Sequence, residues 1–471
     1  MGGRGQTRTR RRAPWDAPET LAAPGIAGRC DHLIRWLGTA WALIGIGDAM
    51  TRGAFSWPAL LFVVAGSVIL VMAVLMRSLP SMHPSAFSTV IVITALFVPF
   101  YLLAPGALRV LAVTNVLSTF VALVIMVSGV VMTVEQRHNR WRFMAIAGLA
   151  SAAALSTIVV SPSPHNDVWF MYEAASHALL HGHNFYLTHW TSGLAGDVSN
   201  QFTYLPMSVV LLAPFHLLFG DVRYGLVAAT LLASWCAYKL AGPRSGWLCA
   251  AFILLIPKST FGIAMSWNDP LLLAGIGGMV LAVRRRRLGW AMVALIVVLS
   301  SKQYAWLFLP LAAMWEDFGW RRALASGAAA IAVCLPWALT APRAFWQGVV
   351  LYNLDMPARF DSLSLYSAAV HRGVVPGYVL IVGLTLVGLA AALLLLPRTA
   401  YGFLAGCAVV MATYNLANKQ SFFNQWELVA GLIVLSMAAA LGAMDEASLP
   451  GRALGRAHHQ EMTAATVGGS P

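Results

Sequence analysis

Charge is what this chain has least of: 10% of its 471 residues are Asp, Glu, Lys or Arg, and only 18 are acids, while 59% are hydrophobic. Charge that sparse leaves no soluble domain of useful size. Cysteine is also scarce. Cys236, Cys249, Cys334 and Cys407 fall inside apolar runs and Cys30 lies just ahead of the first, with no CxxC or paired spacing, so neither a disulfide framework nor a zinc site is indicated. The basic tail with Arg4, Arg8, Arg10, Arg11 and Arg12 has no apolar h-region behind it, which argues against a cleavable signal peptide. No period of about 20 to 50 residues repeats, which excludes solenoids and arrays.

What is present is a succession of long hydrophobic runs, with a mean hydropathy of +0.71. The runs are separated by short breaks carrying Arg, Pro or Gly, the composition of an all-α polytopic membrane protein. The net charge of +13 resides mainly in the tail and the short loops. That is the positive-inside signal of membrane topology and not a nucleic-acid surface, so no nucleic-acid partner is expected.

Apolar runs at 33–50, 57–76, 86–103 and 108–134 return the chain to its starting side, where Arg137, Arg140 and Arg142 agree with a cytoplasmic N-terminus. A fifth run, 143–160, leads outside. Downstream, Arg284 to Arg287, the turn from Glu316 to Arg322, Arg398, and the tail with Arg452 and Arg456 all belong inside. Four apolar runs between 204 and 283 would put the arginines at 284–287 on the wrong side. The short run 204–220, holding Pro206, Pro214 and His216, is therefore expected to dip in and return. About fourteen crossings follow, in a multi-pass protein of the plasma membrane with both termini cytoplasmic. The expected organisation is a disordered basic tail (1–31), an N-terminal four-span subdomain (32–134), a main membrane domain (135–443) with external loops 161–203 and 341–374, and a disordered cytoplasmic tail (444–471).

The stretch from Ser161 to Thr203 gathers Asp167, Glu173, Asp197 and five histidines. Groups so costly in lipid belong at or beyond the membrane face and make this the best candidate for a working site. Asp167 follows a span directly, where a carboxylate with one apolar and one wet side can be tuned for proton abstraction; equally, Asn166 and Asp167 both suit the N-cap of the following helix. Glu173, His177 and His181 share one helix face at i, i+4 and i+8, a spacing that could hold a divalent metal, although lone interfacial histidines are commoner than ligands. Under the topology above, Asn268, Asp269, Lys302 and Gln303 emerge on the same external face, with Asn418, Lys419 and Gln420. Lys302 interrupts an apolar stretch and either snorkels to headgroups or neutralises a bound anion, of which a lipid phosphate is the commonest in a membrane. Asp269 and Pro270 suit the first turn of a helix. In the second long loop Arg359 is a phosphate or hydroxyl clamp by residue type, because its fork can engage two oxygens.

The order of these pieces resembles the GT-C superfamily of membrane glycosyltransferases. The resemblance is carried by Asp167 in the first long external loop, Tyr204-Leu205-Pro206 running to Phe219–Arg223, Asp269–Leu272 and Ser301–Gln303, and covers about residues 142–420. Where many relatives have two adjacent acids, Asn166 precedes Asp167, and Tyr-Leu-Pro replaces a double-proline form. The resemblance implies a GT-C-like helical bundle with a long first external loop. It further implies transfer of a hexosyl or pentosyl group from a polyprenyl-phosphate-linked sugar to a lipid or glycan acceptor hydroxyl on the outer face, with inversion and no cofactor. In that reading Asp167 is the catalytic base, Lys302 with Arg359 meets the donor phosphate, and Glu173, His181, Tyr204, Asn268, Asp269 and Gln303 line the pocket. Two further readings use a similar body: a ligase or polymerase of lipid-linked glycans, and a transporter or flippase of a lipid-linked sugar. The second calls for polar or broken helices near mid-membrane, which the sequence scarcely offers.

Overall fold

The computed structural model describes residues 26–76, 139–164, 166–190, 200–256 and 259–447. The expected spans at 86–103 and 108–134, residues 1–25 and 448–471 of the two tails, His165 and Asp197 lie outside the described residues, while 26–31 and 444–447, expected as disordered tail, belong to helices. Within them the chain is all α-helical, and the only β-type pairing is an isolated antiparallel bridge between Ala54 and Ser362. By length and composition, seven of the described helices can cross a membrane, which agrees with an all-α polytopic fold.

Helices α1 (Ile26–Thr51) and α2 (Trp57–Val71) form a hairpin. After the gap come α3 (Asn139–Val160), α4 (Asp167–Leu180), α5 (Met207–Phe219) and the long α6 (Arg223–Leu254). A single turn of helix, α7 (Ser259–Ala264), leads to α8 (Asp269–Arg284) and α9 (Leu288–Leu299). A 3-10 turn, Gln303–Phe308, runs into α10 (Leu309–Met314). The remaining long helices are α11 (Trp320–Thr340), α12 (Gly377–Leu395), α13 (Ala400–Ala417) and α14 (Phe423–Ala447).

One of these helices, α14, forms the axis. α14 packs against α1, α6, α8 and α13, and its residues Val429, Leu432, Ile433, Val434 and Leu435 are fully buried. Helices α11 and α12 are apolar yet mostly exposed, with Leu339, Val379 and Leu394 at 74%, 84% and 81%. A helix apolar on its outward side is stable only where the surroundings are apolar too, so these are the lipid-facing walls. The N-terminal hairpin is no appendage: Trp41 is buried with its ring 4.7 Å from that of Phe252, and Leu37, Ile44 and Leu60 join the main core.

The expected apolar runs either side of Gly242 appear as one element broken there, at φ 81° and ψ −176°. Ser234 Oγ lies 3.4 Å from the carbonyl of Ala250, so the two limbs fold back on each other. Pro243 follows the break and cannot continue the first limb. α5 spans 13 residues, about 20 Å at 1.5 Å per residue, too short for a slab about 30 Å thick. Its first residue, Met207, donates its N–H to the Ser300 carbonyl at 2.9 Å, and its far end lies beside Glu173 of α4.

The helix ends sort into two sets. At one, Arg284 binds Glu446 at 2.6 Å and the carbonyls of Leu240 and Gly442, Arg286 pairs with Asp317, and Glu316 N–H meets the Arg398 carbonyl. This basic end unites the turns assigned to one side by their arginines. Residues 51–56, 202–206, 268–269, 300–303 and 418–424 meet at the other.

A glycine is required where the α6 limbs reverse, since φ +81° with ψ near 180° is costly for any side chain, and an added Cβ would also come within 2.8 Å of Asp445 Oδ2. Gly242→Ala is expected to destabilise the detergent-solubilised protein by about 1–3 kcal/mol. An unchanged thermal unfolding midpoint would show that the reversal does not depend on this backbone conformation.

Candidate active site

The polar end is built around one buried ion pair. Lys302 Nζ lies 2.8 Å from Asp269 Oδ2, with the two residues 4% and 1% exposed. Asp269 is fully committed: Asn424 Nδ2 donates to its Oδ2 at 2.7 Å, and the Tyr304 hydroxyl donates to its Oδ1. Lys302 stands over the rings of Tyr304 (4.9 Å) and Tyr204 (5.2 Å), which supply cation–π attraction where water is excluded.

Local geometry explains how the chain reaches this point. α8 and α9 both rise from the basic turn Arg284–Arg287, and their 16 and 12 residues correspond to about 24 Å and 18 Å. With that turn at one face of a slab about 30 Å thick, Asp269 and the Ser300–Lys302 turn stop short of the opposite face. The pair therefore sits in a recess sunk into the polar side of the membrane body. Asp269 also occupies the first turn of α8, where the helix N-terminus favours an anion, with Pro270 at a position that needs no N–H.

Asp167 approaches from α4. Asn166, and not Asp167, is the N-cap: its Oδ1 accepts from Val168 N at 2.8 Å, while its Nδ2 reaches Met265 Sδ at 3.4 Å, three residues ahead of Asn268. That contact brings the α4 N-terminus to the loop that carries Asp269. Tyr204 joins the two sides. Burial pushes its phenol well above the usual value, and neighbouring Tyr172, Asp167, Asp269 and Tyr352 all add to the shift. Burial likewise raises the Tyr352 phenol, with Asp167 as a further cause. Asp167, Tyr204, Tyr352, Asp269 and Lys302 thus share one neighbourhood.

Gln303 has a bridging role: its Nε2 donates to the carbonyls of Thr203 (2.7 Å) and Val349 (3.0 Å), tying the chain at both positions to the Lys302 turn. Arg359 faces the same region but its fork is engaged by Asp361, at 2.7 Å from Nε and 2.6 Å from Nη2. The guanidinium holds the Asp361 carboxyl below its ordinary value, mainly through these hydrogen bonds. Asn268 is fully buried, and neither polar atom of its side chain has a hydrogen-bond partner.

Two of the expected pocket residues lie elsewhere. Glu173 points away from the Lys302 recess, accepting from Val222 N–H at 2.8 Å and pairing with His216 Nδ1 at 2.5 Å. Burial raises its carboxyl above the ordinary range, opposed by the Val222 N–H and by His216. This pair pins α5 to α4. His181 is the exposed C-cap of α4, its ring stacked on His177 at 4.1 Å. Fourteen residues from Asp167, it stands about 20 Å along the helix. Among the described residues no three His, Cys, Asp or Glu side chains come together to hold a metal ion.

Sequence reasoning passed over Tyr304, Asn424 and Glu427. The last is buried, interacts with Asp269 and leaves Oε2 without a hydrogen-bond partner. The signal was available in Asn424 and Glu427, polar residues in the opening turns of an apolar helix.

Residues 202–417 match the profile of glycosyltransferase family 87, in agreement with a membrane glycosyltransferase of the GT-C type. No curated protein and no solved structure gave a match. The matched region contains Tyr204, Asn268, Asp269, Lys302, Gln303 and Arg359; Asp167 and Asn424 lie on either side of it.

Removing one partner of a buried ion pair strands the other. Lys302→Met is expected to lower unfolding stability by about 3–5 kcal/mol, and adding Asp269→Asn should recover much of the loss. Equal and additive losses in the two single variants and the double variant would mean that the pair is not coupled as its geometry indicates.

Proposed function

We propose that this membrane glycosyltransferase moves a sugar from a polyprenyl-phosphate donor to an acceptor hydroxyl at the polar end of the bundle, on the outer face of the membrane. The observation that carries the reading is a lysine buried within an apolar body against a carboxylate, in the neighbourhood of a second, separate acid, Asp167. A soluble nucleotide-sugar would not need a phosphate site sunk below the membrane face, whereas a lipid-linked phosphate arrives at that depth. Lys302 commits one of its three donor positions to Asp269, which leaves the others for phosphate oxygens.

The chemistry follows from two groups. Asp167 takes the proton from the acceptor hydroxyl as that oxygen attacks the anomeric carbon; the bond from that carbon to the phosphate oxygen breaks, and the electron pair leaves with the lipid phosphate. A single displacement inverts the anomeric centre. Negative charge grows on the departing phosphate, and Lys302 is fixed beforehand where it grows, so little reorganisation is required during reaction. Arg359 serves through the donors that Asp361 leaves unused. The polar atoms of Asn268 and Glu427 that lack protein partners suit hydroxyls of the sugar or bound water. Tyr204 and Tyr304, stacked about the ammonium, exclude water from it.

Asp167→Asn keeps size and helix position but cannot accept the proton. Transfer from labelled polyprenyl-phosphate sugars should fall about 10²- to 10⁴-fold with the protein still folded. Activity close to that of the unaltered enzyme would remove Asp167 from the role of base. Label that crosses the bilayer without reaching any acceptor would favour the flippase reading instead.

A further inference from the structure

The N-terminal hairpin α1–α2 lies outside the region matched by the family profile, yet its turn reaches the polar end of the bundle. The turn is tight. Gly53 N–H bonds the Asp48 carbonyl at 2.9 Å, Ala54 N–H bonds Thr51 O at 3.2 Å, and Gly53 takes φ +75°. Two segments of the candidate site rest on it.

The first is the stretch that carries the Arg359–Asp361 fork. Phe55 N–H donates to the Asp361 carbonyl at 2.9 Å, and Ala54 forms the antiparallel bridge with Ser362. The Phe55 ring stacks on His371 at 4.3 Å, and Arg372 lies over Trp57 at 5.1 Å. On the far side Leu363 N–H donates to Ser421 O at 2.7 Å. Residues 361–363 are therefore clamped between the turn and the start of α14.

The second segment is that start itself. A Cβ on Gly53 would fall 2.0 Å from Phe423 N and 2.6 Å from Phe423 Cα, so the two backbones touch as closely as they can. Phe423 is followed by Asn424, which donates to Asp269, the partner of Lys302. Arg52 adds a contact over the ring of Phe261, itself packed edge-on against Phe423 at 5.5 Å. One turn thus abuts both the guanidinium–carboxylate fork and the helix start that fixes the buried ion pair.

We propose that the α1–α2 turn, Arg52 to Ser56, is a positioning element of the sugar-transfer site, setting Asp361–Arg359 and Phe423–Asn424 relative to Asp269 and Lys302. The proposal rests on the transferase reading above. A hairpin that merely packed on the bundle would change how much protein folds and not how fast each folded molecule turns over.

Gly53→Ala forces the turn and Phe423 apart. In the full-length protein in detergent or nanodiscs, it is expected to lower kcat at least tenfold with the donor KM within about threefold, and to speed amide exchange over 359–364 while 400–417 stays protected. Because this variant risks misfolding, a second pair tests the contact without the clash. Ala54→Cys with Ser362→Cys places cysteines at bridged positions, about 4.5–5.5 Å apart at Cα and within reach of a disulfide. The oxidised protein should keep its activity, and the same cross-link in the Gly53→Ala background should restore part of the lost kcat. Unaltered kcat and unaltered exchange in Gly53→Ala would overturn the proposal, as would a cross-link that fails to form. A wild-type chain that moves no sugar sinks the transferase reading alone; the exchange measurement then still decides whether the turn sets the 359–364 segment.

Discussion

An ammonium and a carboxylate buried together inside an apolar body set the terms for everything around them. Neither Lys302 nor Asp269 is tolerable there alone, because an unpaired charge loses several kcal/mol of hydration that nothing returns. Pairing is not enough, since each ion has more hydrogen-bonding capacity than the other can meet. Asp269 is therefore also served by Asn424 and Tyr304, and Lys302 by two tyrosine rings. These groups come from four separate segments, around residues 204, 269, 302–304 and 424. To bring them to one depth, α8 and α9 must stop short of the polar face, and the 3-10 turn after Lys302 must carry the chain back without a loop in lipid. The recess and the pair imply each other.

Much of this was legible in the sequence, for a physical reason. Arginines at helix turns report sidedness one by one, and counting runs between them places Asp167, Asp269, Lys302 and Gln303 on one face. The short run before Gly220 was read as non-crossing from its length and its prolines; α5 spans 13 residues, but α9, read as a crossing, spans only 12, so length alone does not single it out. Partnership was less legible. That Lys302 would choose Asp269, 33 positions away, depends on helix packing, which hydropathy does not encode. Arg359 looked free because a fork two residues from Asp361 closes only when the backbone turns. Glu173 and His181 shared a face with each other on paper, and that face turned to α5 and to solvent, away from Asp167.

The N-terminal hairpin shows the same limit from another side. By composition α1 and α2 are two more apolar runs, and nothing in their pattern says whether they stand apart. Their role emerges from a glycine whose missing side chain lets Phe423 approach, and from a single backbone bridge to Ser362. Close backbone approach leaves almost no trace in hydrophobic periodicity. It becomes visible only as a position where a Cβ has no room.

The ion pair also bears on how a phosphate could be received and released at such depth. An isolated ammonium in the recess would bind any phosphate too firmly or shed its proton. Asp269, 2.8 Å away, opposes that loss and partly neutralises the ammonium, so that a phosphodiester donor of the kind proposed, with one negative charge, would find a modest attraction. In the proposed reaction, when the bond to the sugar breaks, the lipid phosphate gains charge, and the same lysine would then interact with it more strongly than with the substrate. An interaction that grows along the reaction lowers the barrier, whereas one already full in the ground state would only tighten binding. On this account the carboxylate beside Lys302 is more than a structural counter-ion: it keeps part of the lysine's electrostatic stabilisation in reserve for the transition state.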